Sequence, residues 1–301
     1  MELKKFMRYK FKFKTPLFIL LFFCCTSNNI DFDETISLNI ENCNISYNEH
    51  TNTDKFSNKE IYVVGHAYGK PGEGNFFPDN LTNFFNNNLN KNSINYLGLT
   101  GDFVRKPDLN SYTKVKNYIN DNFEGYFISI GNHEIDNGHN VTGQGLDNYF
   151  KIFNKDFFYQ EFDHFLIISG NFSNQDWLPN AKQKKEINDL INKTDRDYVI
   201  ILTHQLFWLL DADDNISPNS DALLKESLNK DSLNWIHQEN DKNFIVISGD
   251  YGAFGDKTYC TFQDNKLFIA NGIGNLKSDT ILKISENDLN FSITEYKLNN
   301  S

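Results

Sequence analysis

The chain has 301 residues, 23% charged and 39% hydrophobic, a balance that excludes an extended disordered protein and supplies apolar material for one large core. Its formal net charge of −11 excludes a general nucleic-acid binder, which needs a basic face. A small phosphorylated substrate stays compatible, because a bound cation or a local Arg reverses the sign of the field inside a cleft.

In chain order, residues 1–25 read as an export signal. Basic residues run from Lys4 to Lys14, and "PLFILLFF" follows. That run is about half of the ~20 apolar residues a bilayer span needs. Cys24 and Cys25 come next, ahead of the polar "TSNN", and the arrangement resembles a bacterial lipoprotein signal, although Phe23 stands where a small residue is usual. The expectation is an exported protein of the periplasm or cell surface that meets the membrane only through an N-terminal anchor at Cys24 or Cys25. Residues 26–58 are polar and Asn-rich, and read as a tether with an edge strand near residues 36–40. Two cysteines remain, Cys43 and Cys260. They can pair in an oxidising compartment or persist as buried thiols, and the sequence leaves both open.

Residues 59–301 read as a single domain. Strands are predicted at "IYVVG" (61), "NYLGLTG" (95), "YFISIG" (126), "FLIISG" (165), "YVIILTH" (198) and "FIVISG" (244), then at "KLFIANGIG", "TILKIS" and "LNFSITEYKL". Helices are predicted at "DNLTNFFNNNLN" (79), "PDLNSYTKVKNYIND" (107), "GLDNYFKIF" (145), "AKQKKEINDLINK" (181) and "DSLNWIHQEN" (231). Continuous apolar runs, rather than alternation, predict strands covered on both faces. Strand–helix alternation gives an α/β class. "FYQEFDHFLIISG" predicts a hairpin turning near residues 163 and 164, and the helix-free closing segments predict antiparallel strands.

The chemistry-bearing residues stand where these strands end. His66 follows "YVVG", Asp102 follows "LGLTG", Asn132, His133 and Glu134 follow "FISIG", His204 follows "VIILT", and Asp250 follows "IVISG". Ligand sites of α/β sheets form at such carboxyl ends. Singly, each of these residues is also an ordinary strand-end cap or packed histidine.

The order "GD", "GNHE", "H" after a strand and a late "GD" resembles the calcineurin-like metallophosphoesterase superfamily over roughly residues 60–275. The resemblance implies a four-layer α/β–β/α sandwich of two mixed sheets. It implies phosphoester hydrolysis by water activated at one or two divalent transition metals (Mn, Fe or Zn), about 3.5–4 Å apart when paired. Asp102 matches the bridging carboxylate. Asn132, His204 and Asp250 match further ligands of one metal, and His133 the residue that assists the leaving group. Two motifs depart from the pattern. The first, D-x-H in the family, reads His66, Ala67, Tyr68, and the last, G-H-x-H, reads Gly249, Asp250, Tyr251, Gly252. The second ion is therefore expected to be weakened or absent, with His66 and Tyr68 contacting substrate. Arg105 is expected to hold phosphate oxygens, Lys106 to be an ordinary solvated turn residue, and Glu134 to support its loop. The substrate expected is a small phosphorylated molecule or an envelope glycan. The rival reading is a degenerate member that binds such a ligand without cleaving it. "DADDN" at 211 reads as an acidic surface loop, and Trp177, Trp208 and Trp235 as core or pocket wall.

Overall fold

Branched and aromatic residues dominate the strands, and they favour a pleated backbone packed on both sides. In the computed structural model they form two six-stranded mixed sheets. The structure describes residues 36–40, 43, 58–69, 74–135, 144–172, 179–206, 241–251, 258–263, 266–274 and 279–298. The predicted helix at 231, the acidic segment at 211, the three tryptophans, Gly252 and the N-terminal signal with Cys24 and Cys25 lie outside them. Among the described residues no helix is long and apolar enough to cross a membrane.

The first sheet has the order β1 (Ile36–Asn39), β12 (Phe291–Lys297), β11 (Thr280–Glu286), β2 (Lys59–Val64), β3 (Ile94–Thr100), β4 (Gly125–Ser129). The second has the order β5 (Phe157–Glu161), β6 (Phe165–Gly170), β7 (Tyr198–Thr203), β8 (Asn243–Ser248), β10 (Lys266–Ala270), β9 (Tyr259–Gln263). β2, β3 and β4 run parallel, as do β6, β7, β8 and β10. The hairpin of β5 and β6 and the closing pair β11–β12 are antiparallel, as the sequence predicts; β10 instead runs parallel to β8 and pairs antiparallel with β9, a strand the sequence did not predict.

The helices are α1 (Asp79–Asn88), α2 (Leu109–Asn122), a single turn α3 (Asn132–Ile135), α4 (Gln144–Phe153) and α5 (Ala181–Lys193). Local chemistry sets their starts. Asp108 caps α2 by accepting from the Ser111 N–H at 2.7 Å. Asn180 and Gln183 form a reciprocal capping box on α5.

Alternation along β7 shows the layering. Ile200 and Leu202 join the core between the sheets, while Val199 and Ile201 pack with Ile187 and Ile191 of α5 on the outer face. On the other flank, Tyr62 of β2 meets Phe84 and Phe85 of α1 edge-on. The layers are helix, sheet, sheet, helix, the sandwich that the resemblance implies.

Two devices fasten the sheets, one at the strand ends opposite the motifs and one at the sheet edges. At the start of β2, Lys59 Nζ bonds Asp163 of the β5–β6 turn at 2.6 Å and Glu286 of β11 at 3.2 Å, and the His164 N–H donates to Glu286. At the edge, a disulfide joins Cys43, just beyond β1, to Cys260 of β9. This decides between the two alternatives left open for these cysteines. Together with β1, which pairs with β12 as the predicted edge strand, it ties Ile36–Asn39 and Cys43 of the polar segment to the sheets. The bridge spans 217 residues, a separation for which loop-closure entropy gives roughly 5 kcal/mol at most. Cys43→Ser is expected to lower stability by about 2–5 kcal/mol in urea unfolding. Coincident curves for the wild type and the variant would contradict a stabilising bridge.

Candidate metal centre

Register brings the motif residues together. β2 and β3 pair Val64 with Leu99, and β3 and β4 pair Thr100 with Ser129, so the residues following these strands lie side by side. In the second sheet Thr203 pairs with Ser248, which sets His204 beside Gly249 and Asp250. The two sheets approach to backbone contact here. A Cβ on Gly65 would collide with the Gly249 Cα, and one on Gly249 with the Thr100 carbonyl, so glycine is required at both points. Asp102 and His66 both hold left-handed backbone, with φ of 51° and 50°. Such conformations cost about 1 kcal/mol or more each in non-glycine residues and persist where surrounding structure enforces them. Backbone bonds supply that enforcement: His66 N–H donates to the Gly101 carbonyl at 3.1 Å and Tyr68 N–H to that of Asp102 at 3.3 Å.

Three histidines surround Asp102, and all are oriented the same way. Each donates its Nδ1–H to a backbone carbonyl: His66 to Ile273 at 2.8 Å, His133 to Arg105 at 3.0 Å and His204 to Thr100 at 3.0 Å. A carbonyl only accepts, so the proton is fixed on Nδ1 and the Nε2 lone pair faces the cleft. Nε2 of His204 lies 3.4 Å from Asp102 Oδ1, and those of His66 and His133 lie 3.9 Å from Oδ2.

His204 Nε2 has only oxygens before it: Asn132 Oδ1 at 3.0 Å, Asp102 Oδ1 at 3.4 Å and Asp250 Oδ1 at 3.4 Å. A lone pair facing three acceptors is unfavourable unless a proton or a cation stands among them. Asp102, His204 and Asp250 offer ligand atoms all within 4.8 Å of one another, and all three residues are buried. One imidazole nitrogen with carboxylate and amide oxygens is a donor set for a divalent transition metal. Without an ion the same groups hold a proton. Burial lowers the His204 pKa, but the Asp102 and Asp250 carboxylates overcome this and leave it above its ordinary value. Asp102 is shifted the other way: burial raises its pKa, and the His204, His133 and His66 rings bring it below the usual range. His66, wholly buried, is held neutral, its pKa lowered to about 4 by desolvation against the pull of Asp102.

Tyr68 donates its hydroxyl to His133 Nε2 at 3.3 Å, and its ring lies 4.3 Å from that of His66. Burial pushes its phenol pKa well up, so the oxygen stays protonated and is a poor metal ligand. Arg105 contributes its backbone carbonyl to His133, and its guanidinium lowers the Tyr68 pKa. The Lys106 side chain is exposed.

Glu134 supports the loops. It accepts from the N–H groups of Gly131 and Asp102 at 2.8 Å, Phe103 at 2.9 Å and Val104 at 3.2 Å. Burial and then the Asp102 charge raise its pKa to about 8, while the N–H donors favour the anion. Tyr112 of α2 ties the same turn by donating to the Glu134 carbonyl at 3.0 Å. Tyr112 was not singled out from the sequence, where it stands among many core aromatics.

No family model matches the sequence, and no curated protein matches it. Solved structures do. A phosphopantetheinyl hydrolase from Mycobacterium tuberculosis aligns over 72% of this chain and 91% of its own, at 11% identity and a TM-score of 0.46. A single mutant of Vps29 from Entamoeba histolytica aligns over 79% of this chain and 92% of its own, at 11% identity and a TM-score of 0.38. A predicted phosphoesterase from Streptococcus pneumoniae covers 79% and 88%, at 10% identity and 0.32.

Glu134→Gln keeps the shape but turns an N–H₂ group toward backbone donors. It is expected to cost about 2–4 kcal/mol, read by urea unfolding of metal-free protein. Unchanged stability would contradict the bracing role.

Proposed function

We propose that the chain is a metal-dependent phosphoester hydrolase that works outside the cytoplasm. The observation that supports this most is the convergence of Asp102, Asn132, His204 and Asp250, each at the end of a different strand, around one imidazole nitrogen that faces only oxygens. The order of the motifs supports phosphoesters as the substrate class. A divalent transition metal held by these four residues would polarise a phosphoryl oxygen and lower the pKa of a bound water.

The remaining residues handle position and protons. His133 is the most exposed of the three histidines around Asp102, with 21% of its side chain accessible, and it would give an Nε2 proton to the leaving oxygen in exchange for the Tyr68 hydroxyl that Nε2 accepts in the structure. Its Nδ1–H stays committed to the Arg105 carbonyl. His66 and Tyr68 form the inner wall and exclude water from Asp102. The Arg105 guanidinium is the cation offered to phosphate oxygens. Export is supported by the N-terminal basic and apolar pattern and by the Cys43–Cys260 bridge, which suits an oxidising compartment. Lipid attachment at Cys24 or Cys25 would hold the enzyme at the envelope, facing a small phosphorylated molecule or a glycan.

The test uses p-nitrophenyl phosphate and its bis ester with Mn²⁺, Zn²⁺ or Fe²⁺. Turnover is expected to need metal, to vanish in Asp102→Ala, and to fall on the order of 10²-fold or more in His133→Ala. Tight metal binding with no turnover of either ester, under any of the three ions, would favour the non-hydrolytic binder, for which the altered His66 and Tyr68 positions speak.

A further inference from the structure

The cleft has two sides about Asp102. Oδ1 faces His204, with Asn132 and Asp250 completing the ring of donors. Oδ2 faces His66 Nε2 and His133 Nε2, each at 3.9 Å. A pair of ions bridged by Asp102 would need donors on both sides, and among the described residues the second side offers too few. His133 Nε2 already accepts the Tyr68 hydroxyl. A phenol that donates such a bond is a weak ligand. Among the described residues, what remains is His66 Nε2 and Asp102 Oδ2, both buried and both without a hydrogen-bond partner. Two donors fall short of the three or four protein ligands of a resident transition-metal site. Among the described residues, Asp102, His204 and Asp250 are the group of three acidic or imidazole donors that converges.

We infer that the centre is mononuclear: one cation is held by Asp102, Asn132, His204 and Asp250, and on the other side of Asp102 the His133 Nε2 is taken by the Tyr68 hydroxyl. The inference rests on the metal reading proposed above and narrows it. Tyr68 is then a positioning residue. With Arg105 it holds the His133 ring at both nitrogens, Nδ1 through the carbonyl and Nε2 through the hydroxyl.

The test is metal stoichiometry of the full chain, stripped with chelator and equilibrated with Mn²⁺, read by elemental analysis and by electron paramagnetic resonance. The expected result is one equivalent with the spectrum of an isolated ion. His66→Asp combined with Tyr68→His puts a carboxylate and an imidazole beside Asp102 Oδ2, and is expected to raise the content to two equivalents with a spin-coupled spectrum. Tyr68→Phe changes a single atom and is expected to keep one equivalent, because Tyr68 is not a ligand. Two equivalents in the native chain would overturn the inference and leave the metal reading intact. No bound ion would overturn both. A double variant that stays at one equivalent, or a Tyr68→Phe variant that loses the ion, would overturn the roles given to His66 and Tyr68.

Discussion

Asp102 is a carboxylate withdrawn completely from water, and its surroundings are organised by that fact. An isolated buried charge is strongly disfavoured unless it is paired or hydrogen-bonded. Here the His133 backbone N–H donates to Oδ1, and three imidazoles turn Nε2 toward the carboxylate. The imidazoles do not supply N–H groups, because their protons are committed to the carbonyls of Ile273, Arg105 and Thr100. An acidic group enclosed by lone pairs needs positive charge, and a second acid, Asp250, stands 3.4 Å from the same His204 nitrogen. A proton on His204 meets the need in part. A divalent cation would meet it more fully, with the His204 lone pair as a ligand.

The fold delivers this arrangement through the meeting of two sheets. Parallel strands place their carboxyl ends together, and the register within each sheet sets the motif residues level with one another. Gly65 and Gly249 let the sheets touch at the backbone. The Lys59, Asp163 and Glu286 cluster ties the start of β2 to the β5–β6 turn, and the disulfide ties the edges, so the closure at the motif ends is held from elsewhere. Strained backbone at Asp102 and His66 persists inside that frame. Glu134 fixes the loop after β3 to the turn after β4 with four N–H bonds, so the carboxylate and the amide of Asn132 move as one unit.

Much of this was legible in the sequence because long apolar runs and clear caps determine their own structure. The strands leading to His66, Asp102, Asn132, His204 and Asp250 lie where their branched residues predict, and α1, α2, α4 and α5 match their periodic segments. β9 was missed, because "YCTFQ" mixes polar and apolar residues as an edge strand does. The single turn α3 was hidden inside "GNHE", too short to show a period. Sheet order and the cysteine pairing depend on contacts between distant segments, which no local pattern encodes. The partners of Tyr68 and the common orientation of the histidines were illegible for the same reason, since each is set by a carbonyl or ring far away along the chain. Arg105 shows the limit of reading by residue type: its charge suggested phosphate, while the contact the structure gives it within the site is a backbone carbonyl on His133.

Anomalous diffraction from crystals grown with Mn²⁺ or Zn²⁺ shows whether a cation stands between His204 Nε2 and the oxygens around it. A peak is expected within about 2.0–2.3 Å of His204 Nε2, shared with oxygens of Asp102, Asn132 and Asp250. An empty map at that position, with His204 Nε2 bearing a proton donated to Asn132, would contradict the cation site.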